Sequence, residues 1–350
     1  MSRFQRSFEI GGRAVGPGEP AYVIAEAGAN HNRDLGVAKQ LIDVAADAGA
    51  DAAKFQTYTG ADLYSSKTPQ FEYLEDERSP AELLDAIALP REWQGELAEH
   101  ARARGIAFFS SPFDRAAVDG LRELGVPAMK IASFEIVDLP LIRYAAAAGV
   151  PMIISTGMAT YGEIEDALGA VAEADNDKVA LLRCASVYPS PPEIMNLRAI
   201  ETMRAAFGVP VGLSDHTTGI VVAAAAAALG AELVEKHFTL DRTMEGPDHP
   251  FALEPGELTA MVAGLRAVEA ALGNGRLEGP SELEAREMYP NARRSVIAAR
   301  DIPAGTEIAA DMLTVKRPGF GVPPKHIDLL VGRRARVDIE ADDVITWEMV

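Results

Sequence analysis

Residues 22–58 read YVIAEAGANHNRDLGVAKQLIDVAADAGADAAKFQTY. The runs Tyr22–Asn30 and Ala52–Tyr58 are largely apolar, which is typical of parallel strands that are buried on both faces. Between them, apolar residues recur at the spacing of one helix face, at Leu35, Ala38, Leu41, Ile42 and Ala45. The stretch therefore predicts one strand–helix–strand unit.

The same alternation continues through the first three quarters of the chain. Further candidate strands are Ala107–Pro112, Ala128–Ser133, Met152–Thr156, Val179–Ser186, Val211–His216 and Leu233–Thr239. Thr160 and Glu163 have the capping-box spacing that begins a helix. Eight units of similar length fit the roughly 250 residues of a closed (β/α)8 barrel, and the glycine-rich loop of a doubly wound dinucleotide-binding sheet is missing. We therefore expect an α/β fold, with a catalytic (β/α)8 TIM barrel over residues 1–272.

The pattern changes after Gly273. Residues 273–293 are polar and contain several glycines, which is typical of a linker, and residues 294–350 predict a small β-rich domain. Its candidate strands are Ser295–Ala299, Ile302–Thr306, Thr314–Val315 and Val337–Ile339. Because so small a domain is only marginally stable alone, we expect it to pack against the barrel or a partner chain.

Composition excludes several classes of function. The 350 residues include 33 Lys and Arg against 52 Asp and Glu, a formal net charge of −19, which disfavours nucleic acids and anionic membranes as partners. The single cysteine, Cys184, allows no intrachain disulfide and is expected to be a small buried hydrophobic residue. The first ten residues contain no signal-peptide-like apolar run, and the apolar stretch at 220–229 is too short to span a bilayer, so we expect a cytoplasmic protein.

One long insertion, Gly60–Pro90, separates the second strand from its helix. It is polar but contains Tyr64, Phe71 and Tyr73. Loops that follow strands lie at the catalytic face of a barrel, and long loops there often act as lids or specificity elements. We expect this insertion to do so.

Most of the candidate strands end in polar residues, which would meet at the same mouth of the barrel. Lys54 and Lys130 lie inside apolar runs, although lysine is rarely buried unless it is paired. The expected hydroxyl groups around them are Ser111, Ser133, Ser155 and Ser214. Two ammonium groups among hydroxyls predict a site for a phosphate or carboxylate. The alternative is a buried ion pair with Glu26 or Glu135.

His216 and His237 close adjacent strands and should be neighbours. Paired imidazoles suit a divalent metal such as Mn²⁺, Zn²⁺, Co²⁺ or Fe²⁺, with Glu26 and Asp248 available as oxygen ligands. A hydrogen-bonded core histidine is the alternative. His100 is expected to be structural, and the sequence does not assign His31, His249 or His326.

Glu26 and Glu135 are candidates for general acid or base, because burial would shift the pKa of either carboxyl group. They could equally serve to neutralise the two lysines. The sequence does not decide which of them would be the acid.

At this point the residues match a known family. The motifs, in chain order, are IAEAGANHN, KFQTY, FFSSPFDR, MKIASFE, ISTGMAT, YPSPP, GLSDHT, EKHFTLDR, GPDHPFALEP and VKRPGFG. From about Phe8 to Val350 the chain resembles the sialic acid synthases, or N-acetylneuraminate synthases, with their C-terminal antifreeze-like (SAF, β-clip) domain. No single motif is specific, but the ordered set is.

The resemblance implies condensation of phosphoenolpyruvate with an open-chain N-acetylated amino sugar, giving a nonulosonic acid and phosphate by C–O cleavage. It implies that His216 and His237 bind a divalent metal, usually Mn²⁺, and that Glu26 and Glu135 are the catalytic carboxylates. Matched positions that hold phosphoenolpyruvate are Lys54, Ser111, Lys130, Ser133, Ser155 and Ser214. Matched sugar-side positions are Gln56, Tyr188 and Asp248. Ser186 stands where the family commonly has Asn, which weakens one substrate contact, and Ser111 where Thr is common.

The resemblance also implies a homodimer in which the C-terminal domain caps the partner's active site and contributes Arg317. The expected sugar is N-acetylmannosamine. Its 6-phosphate is another candidate, as is a diacetamido-trideoxyhexose that would give legionaminic or pseudaminic acid. The segment LDRTMEGPDHPFALEP is more like the neuraminate and legionaminate branches. A non-catalytic sugar-binding or ice-binding protein is the alternative from a different class.

Overall fold

The computed structural model describes residues 3–69 and 78–350. The chain divides after Gly273 into two compact units. Each unit has its own cluster of buried apolar side chains.

The first unit is a closed barrel of eight parallel strands, β3 to β10, preceded by the two short strands β1 and β2. Their bounds are β1 Phe8–Ile10, β2 Arg13–Val15, β3 Tyr22–Gly28, β4 Ala52–Thr57, β5 Ala107–Pro112, β6 Met129–Ile131, β7 Met152–Ser155, β8 Val179–Cys184, β9 Val211–Asp215 and β10 Leu233–His237. The barrel strands follow one another in chain order, and β10 closes on β3 with His237 opposite Glu26. The predicted TIM barrel is confirmed.

All eight predicted barrel strands are present, but seven end one or two residues earlier than the sequence indicated. In six of these seven cases the last predicted residue is Asn, Ser, Thr or His, and it leaves the sheet at the mouth; in the seventh it is Tyr58. Ser133, for example, begins a 3-10 turn over Ser133–Val137 directly after β6. The strand ends therefore belong to the loops that build the site.

Within residues 3–69 and 78–350, ten helices belong to the first unit and two short ones to the second. Their bounds are α1 Leu35–Asp47, α2 Gly60–Leu63, α3 Pro80–Ile87, α4 Gln94–Ala103, α5 Arg115–Leu124, α6 Leu139–Ala146, α7 Tyr161–Glu173, α8 Ala199–Phe207, α9 Val221–Ala228, α10 Pro255–Leu272, α11 Glu282–Glu287 and α12 Tyr289–Ala292. The predicted capping box of Thr160 and Glu163 starts α7. On α1, the predicted face is the one that packs on the barrel.

The insertion Gly60–Pro90 contains α2 and α3. Phe71 and Tyr73, which the sequence analysis singled out, lie outside the described residues.

The N-terminal hairpin of β1 and β2 was not predicted, because strands of three residues give no periodic signal. It closes the end of the barrel opposite the mouth. Ile10 and Val15 have no exposed surface, and a Cβ atom at Gly11 would lie 3.2 Å from Cβ of Ala107 at the start of β5. The hairpin is therefore part of the barrel core.

The second unit has one antiparallel pair, β11 Ser295–Ala298 with β12 Leu313–Lys316. The predicted strands Ile302–Thr306 and Val337–Ile339 are wrong, since the two segments meet only in a single bridge between Ile302 and Ile339. The next donor along the segment, the Ala304 N–H, donates to Asp338 Oδ1 at 2.7 Å instead of to a main-chain carbonyl, so no ladder continues from this bridge. The expected linker contains α11 and α12.

No helix among the described residues combines the length and the apolar character needed to cross a membrane.

Replacing Ile10 with Ala is expected to lower the free energy of unfolding by about 2–5 kcal/mol, because it leaves a cavity under the barrel. KM and kcat should stay unchanged, since the hairpin lies at the face opposite the mouth. Chemical denaturation and steady-state kinetics measure the two effects. The exposed Val221→Ala variant is the control, and a loss of activity without loss of stability in Ile10→Ala would contradict the expectation.

Candidate active site

A cluster of four buried charged side chains lies at the mouth end of the barrel. Lys54 Nζ is 2.6 Å from Glu26 Oε2 and 3.8 Å from Glu235 Oε2. Lys130 Nζ is 3.8 Å from Glu235 Oε1. The members come from β3, β4, β6 and β10, so that the cluster exists only because the barrel closes.

The sequence left open that the two lysines form buried ion pairs with Glu26 or Glu135, and one of these pairs is present in the structure. Lys54 pairs with Glu26, but the carboxylate beside Lys130 is Glu235 rather than Glu135. Burial opposes ionisation of Glu235, yet Lys130 and Lys54 hold its pKa below the ordinary value. Burial outweighs Lys54 at Glu26 and raises its pKa. The same two lysines therefore act on two carboxyl groups whose pKa values are shifted in opposite directions.

Hydroxyl groups complete this polar layer, and all four predicted serines are buried. Lys54 Nζ donates to Ser111 Oγ at 3.3 Å, and Lys130 Nζ donates to Ser155 Oγ at 2.6 Å. Ser214 Oγ donates to Glu235 at 3.1 Å. Both lysines and three of the four serines, Ser111, Ser155 and Ser214, are thus brought into one connected layer.

The side chains of Ser133 and Ser186 both lie next to Gly157, which is not one of the predicted site residues. The Gly157 N–H donates to Ser133 Oγ at 3.0 Å. A Cβ atom at Gly157 would lie 2.2 Å from Ser186 Oγ and 2.7 Å from Ser133 Oγ, so only glycine fits there. Ser186 Oγ is buried without a hydrogen-bond partner, which leaves it available to a ligand.

The two histidines at the ends of β9 and β10 are neighbours, with ring centroids 5.3 Å apart. His216 Nδ1 lies 2.8 Å from the Ala185 carbonyl, which only accepts, so Nδ1 carries a proton and Nε2 is the nitrogen left for a ligand. His237 Nδ1 is buried without a hydrogen-bond partner. Burial and the nearby His216 hold the pKa of His237 well below its usual value, and neutral imidazole is the metal-binding form.

These features fit a divalent metal held by His216 and His237. Among residues 3–69 and 78–350, however, no group of three or more His, Cys, Asp or Glu side chains is arranged to hold an ion. Glu26, which the sequence offered as an oxygen ligand, is taken up by Lys54 and by Gln56, whose Nε2 donates to it at 2.8 Å. The other offered oxygen ligand, Asp248, has Oδ2 3.5 Å from His237 Nδ1. Two imidazoles are therefore what the chain offers, and the other positions on a metal would fall to substrate or water.

A cavity of about 480 Å³ opens above the polar layer. It is lined by Ala29, Gln56, Tyr58, Leu63, Tyr64, Leu84, Ile87, Phe113, Ala132, Phe134, Glu135, Tyr188, His237, Pro247 and Asp248. The predicted sugar-side residues Gln56, Tyr188 and Asp248 therefore share one cavity. The ring centroid of Tyr188 lies 4.2 Å from that of His216.

Glu135 lines the same cavity. Burial raises its pKa to about 7, against the opposing influence of Lys130. Its Oε2 is buried and has no hydrogen-bond partner. A carboxyl group in this state carries a proton near neutral pH and can give it up.

The remaining histidines are structural or peripheral. His249 is fully buried and bonded on both nitrogens, to Thr239 at 2.6 Å and to Asn32 at 3.1 Å. His31 accepts from the Arg33 N–H at 3.0 Å, and burial lowers its pKa to about 4. His100 lies on Asp43 in the helix layer of the first unit, and His326 lies against Trp347 within the second unit.

Cys184 is buried, as expected, with Sγ 3.7 Å from His216 Nδ1. Arg317 is exposed in the second unit. Glu235 was missed as a site residue. Its place in the site could have been inferred from the sequence, because Glu235 lies two positions before His237 and alternate residues of a strand lie on the same face.

Gly28 adopts φ of 51°, and a Cβ atom there would lie 2.8 Å from Asp248 Oδ2 and 3.4 Å from His237 Nδ1. Gly28→Ala should therefore lose stability and also displace Asp248, lowering activity. Gly125→Ala is the matched control, since Gly125 has φ of 71° but open space around it. We expect the control to lose about 1–2 kcal/mol of unfolding free energy and no activity. Equal kinetics for the two variants would refute the contact with Asp248.

Known proteins place the chain in a family. The NeuB family model matches residues 41–277, and the SAF domain model matches residues 293–350. The N,N'-diacetyllegionaminic acid synthase of Campylobacter jejuni is 40% identical over 92% of this chain and 98% of its own length. The human N-acetylneuraminate-9-phosphate synthase is 39% identical over 97% of this chain and 95% of its own.

Solved structures agree. The N-acetylneuraminic acid synthetase of Leptospira borgpetersenii superimposes with a TM-score of 0.72 at 35% identity, over 80% of this chain and 94% of that one. The chain therefore belongs to the NeuB family of sialic acid synthases, which are C–C bond-forming transferases, and its barrel is followed by a SAF domain.

Proposed function

We propose that this protein condenses phosphoenolpyruvate with an uncharged, open-chain acetamido sugar to give a nonulosonic acid and phosphate. The proposal rests on one observation: two different binding environments lie one above the other at the same mouth of the barrel. Buried ammonium and hydroxyl groups form the lower layer, and a cavity lined by His237, Glu135 and apolar side chains forms the upper one.

Phosphoenolpyruvate would occupy the lower layer. Lys54 and Lys130 would hold its negative charges, because an ammonium group in a buried site binds an anion more strongly than it does in water. Ser111, Ser155 and Ser214 would donate hydrogen bonds to its oxygens. The enol carbon then points toward the cavity, where the sugar aldehyde would lie.

His216 and His237 would hold the metal, most simply Mn²⁺. When bound, it would supply Lewis-acid polarisation of the aldehyde oxygen. The enol C3 attacks the aldehyde carbon, water adds at C2, and phosphate leaves as the C2–O bond breaks. Glu135, protonated near neutral pH, would give its proton to the oxygen that develops negative charge, and Glu26 would balance charge beside Lys54.

The upper cavity bears on the identity of the sugar. Leu63, Tyr64, Leu84 and Ile87, all from the Gly60–Pro90 insertion, form an apolar wall. Among the described residues that line the cavity there is no Lys or Arg, so a sugar 6-phosphate would find no counter-charge. A methyl group at C6 and a second acetamido methyl would pack on this wall. These features favour a diacetamido-trideoxyhexose over N-acetylmannosamine, which the sequence alone put first.

A non-catalytic sugar-binding role accounts for less of the site. A sugar needs no buried pair of ammonium groups, and burying charged groups costs free energy unless they are paired. The site retains Lys54 and Lys130 together with two imidazoles at the same mouth.

We also propose a homodimer in which the second unit of one chain caps the partner's mouth. Exposed apolar side chains surround the mouth, among them Phe134, Met158 and Val187. In the second unit, Phe320 is exposed beside Arg317, whose planar guanidinium suits a carbonyl or carboxylate. Covering both apolar surfaces would stabilise such a dimer.

The function is tested by phosphate release with phosphoenolpyruvate and each of three sugars. We expect 2,4-diacetamido-2,4,6-trideoxymannose to give the highest kcat/KM, N-acetylmannosamine a lower value and its 6-phosphate the lowest. A chelator should abolish turnover and Mn²⁺ should restore it. No phosphate release with any sugar would sink the proposal, and a preference for the 6-phosphate would refute the argument from the apolar wall.

A second prediction concerns pH. If Glu135 donates a proton, kcat/KM should fall as pH rises through about 7, and this ionisation should vanish in Glu135→Gln. The folded pKa is raised from about 4.5, so Glu135 should cost stability as pH rises from about 4.5 to 7. Glu135→Gln should therefore gain stability over wild type at pH 8 but not at pH 4. The exposed Glu123→Gln is the control, and an unchanged pH profile in Glu135→Gln would exclude this role.

A third prediction tests the cap. Glu135→Ala and Arg317→Ala should each be inactive alone. After random subunit exchange at equal ratio, activity should return to about a quarter of wild type, since half of the dimers would be mixed and each would have one intact site. A cap that acts within its own chain would recover nothing, and wild-type kinetics in Arg317→Ala would also exclude the arrangement.

A further inference from the structure

Arg183 lies in β8 and is half-buried. It is on the face of the strand that points away from the barrel interior, because the next residue, Cys184, contacts His216 inside. It borders a cavity of about 160 Å³ that is also lined by Tyr161 of α7 and Met203 of α8. Arg183 therefore does not line the mouth cavity.

The guanidinium of Arg183 donates three hydrogen bonds to main-chain carbonyls. Nη1 donates to Cys184 O at 2.6 Å, Nε to Met195 O at 2.8 Å and Nη2 to Ile194 O at 3.0 Å. No carboxylate among the described residues forms an ion pair with it. Because the guanidinium group is planar and donates in fixed directions, it constrains the relative positions of the three carbonyls more tightly than one ammonium group could.

These carbonyls lie at the two ends of one loop, residues 185–194, which we call the β8 loop. The loop carries Ser186 and Tyr188 to the mouth. On its inner side, the Ser190 N–H donates to His216 O at 2.9 Å, and Tyr188 stacks on His216. Arg183 thus holds the outer side of a loop whose inner side touches the site.

The composition of the β8 loop explains why it depends on a side chain. Pro189, Pro191 and Pro192 have no N–H group, so few main-chain donors fix the loop. Side chains supplement them. The Ser190 hydroxyl lies 3.1 Å from Ala185 O and 2.6 Å from Val187 O inside the loop. Arg183 donates to the carbonyls of Cys184 and Ile194 at its two ends.

We propose that Arg183 is a positioning residue that sets the affinity for the sugar by holding the β8 loop, and with it Tyr188, against the mouth. The inference rests on the proposed function for its substrate. The anion layer of Lys54 and Lys130 belongs to other strands and should be insensitive to Arg183.

Arg183→Met removes all three donors but keeps an apolar stem of similar length, and Arg183→Lys keeps the charge without the fork. We expect Arg183→Met to raise KM for the sugar by about 10- to 100-fold, since small displacements of substrate-contacting groups cost this much. KM for phosphoenolpyruvate should change less than about twofold, the order expected when no contact to that substrate is lost. Arg183→Lys should lie between wild type and Arg183→Met.

Hydrogen exchange supplies a readout without turnover. The Ser190 amide should exchange at least about tenfold faster in Arg183→Met, because its hydrogen bond to His216 requires the held loop. Arg204→Met is the matched control. Arg204 also donates to a main-chain carbonyl, that of Gly230, and lies 3.6 Å from Glu232, but it touches no part of the β8 loop. It should lower the melting temperature and leave both KM values unchanged.

Wild-type protection of Ser190 in Arg183→Met would overturn the proposal, as would equal rises in both KM values. If Arg183→Met does not fold, Arg183→Lys gives the same two readouts. Absence of turnover in the wild type would overturn the proposed function and the role in sugar affinity with it. The exchange of Ser190 would still decide whether Arg183 holds the loop.

Discussion

The burial of Lys54 and Lys130 is the constraint on which the mouth of this barrel depends. An ammonium group taken out of water costs several kcal/mol unless a counter-charge lies close by, and losing one partner of such a pair costs about 3–5 kcal/mol. Glu235 lies 3.8 Å from both lysines and comes from the last strand of the barrel. Closure of β10 on β3 therefore completes the sheet and neutralises the cluster in one step.

The sequence predicted the parts of the molecule whose signal is local. Each barrel strand is an apolar run, and chain order makes β9 and β10 neighbours, so the pairing of His216 with His237 follows. The partner of Lys130 does not follow, because it depends on the stagger of strands that are distant in the chain. For this reason the sequence suggested Glu135, and not Glu235, as a possible ion-pair partner of the lysines. The hairpin of β1 and β2 has too few residues for a periodicity to show.

The two layers of the mouth divide the chemistry between them. The lower layer is polar, buried and built on strands, which hold side chains more precisely than loops do. The upper layer is built on the loops and the insertion, with an apolar wall and a titrating carboxyl group at Glu135. In the proposed function, the first layer would therefore recognise the charge of one substrate, and the second the shape of the other. A change of sugar specificity within such a fold requires changes only in the second.

The charge of the whole chain supports the same division. Of the 52 acidic and 33 basic residues, 13 acidic and 11 basic lie in residues 274–350, which leaves 39 acidic and 22 basic residues in the first unit. Such a barrel repels anions at long range, although salt screens the field beyond about 8–10 Å. In the proposed reaction, phosphoenolpyruvate would overcome this repulsion only where the two desolvated ammonium groups meet it. A second anionic substrate would meet the same field over a cavity whose described lining has no Lys or Arg, and would have to bind while the first anion is already present. An uncharged sugar avoids both costs, which is why the apolar wall and the acidic barrel favour the same class of substrate.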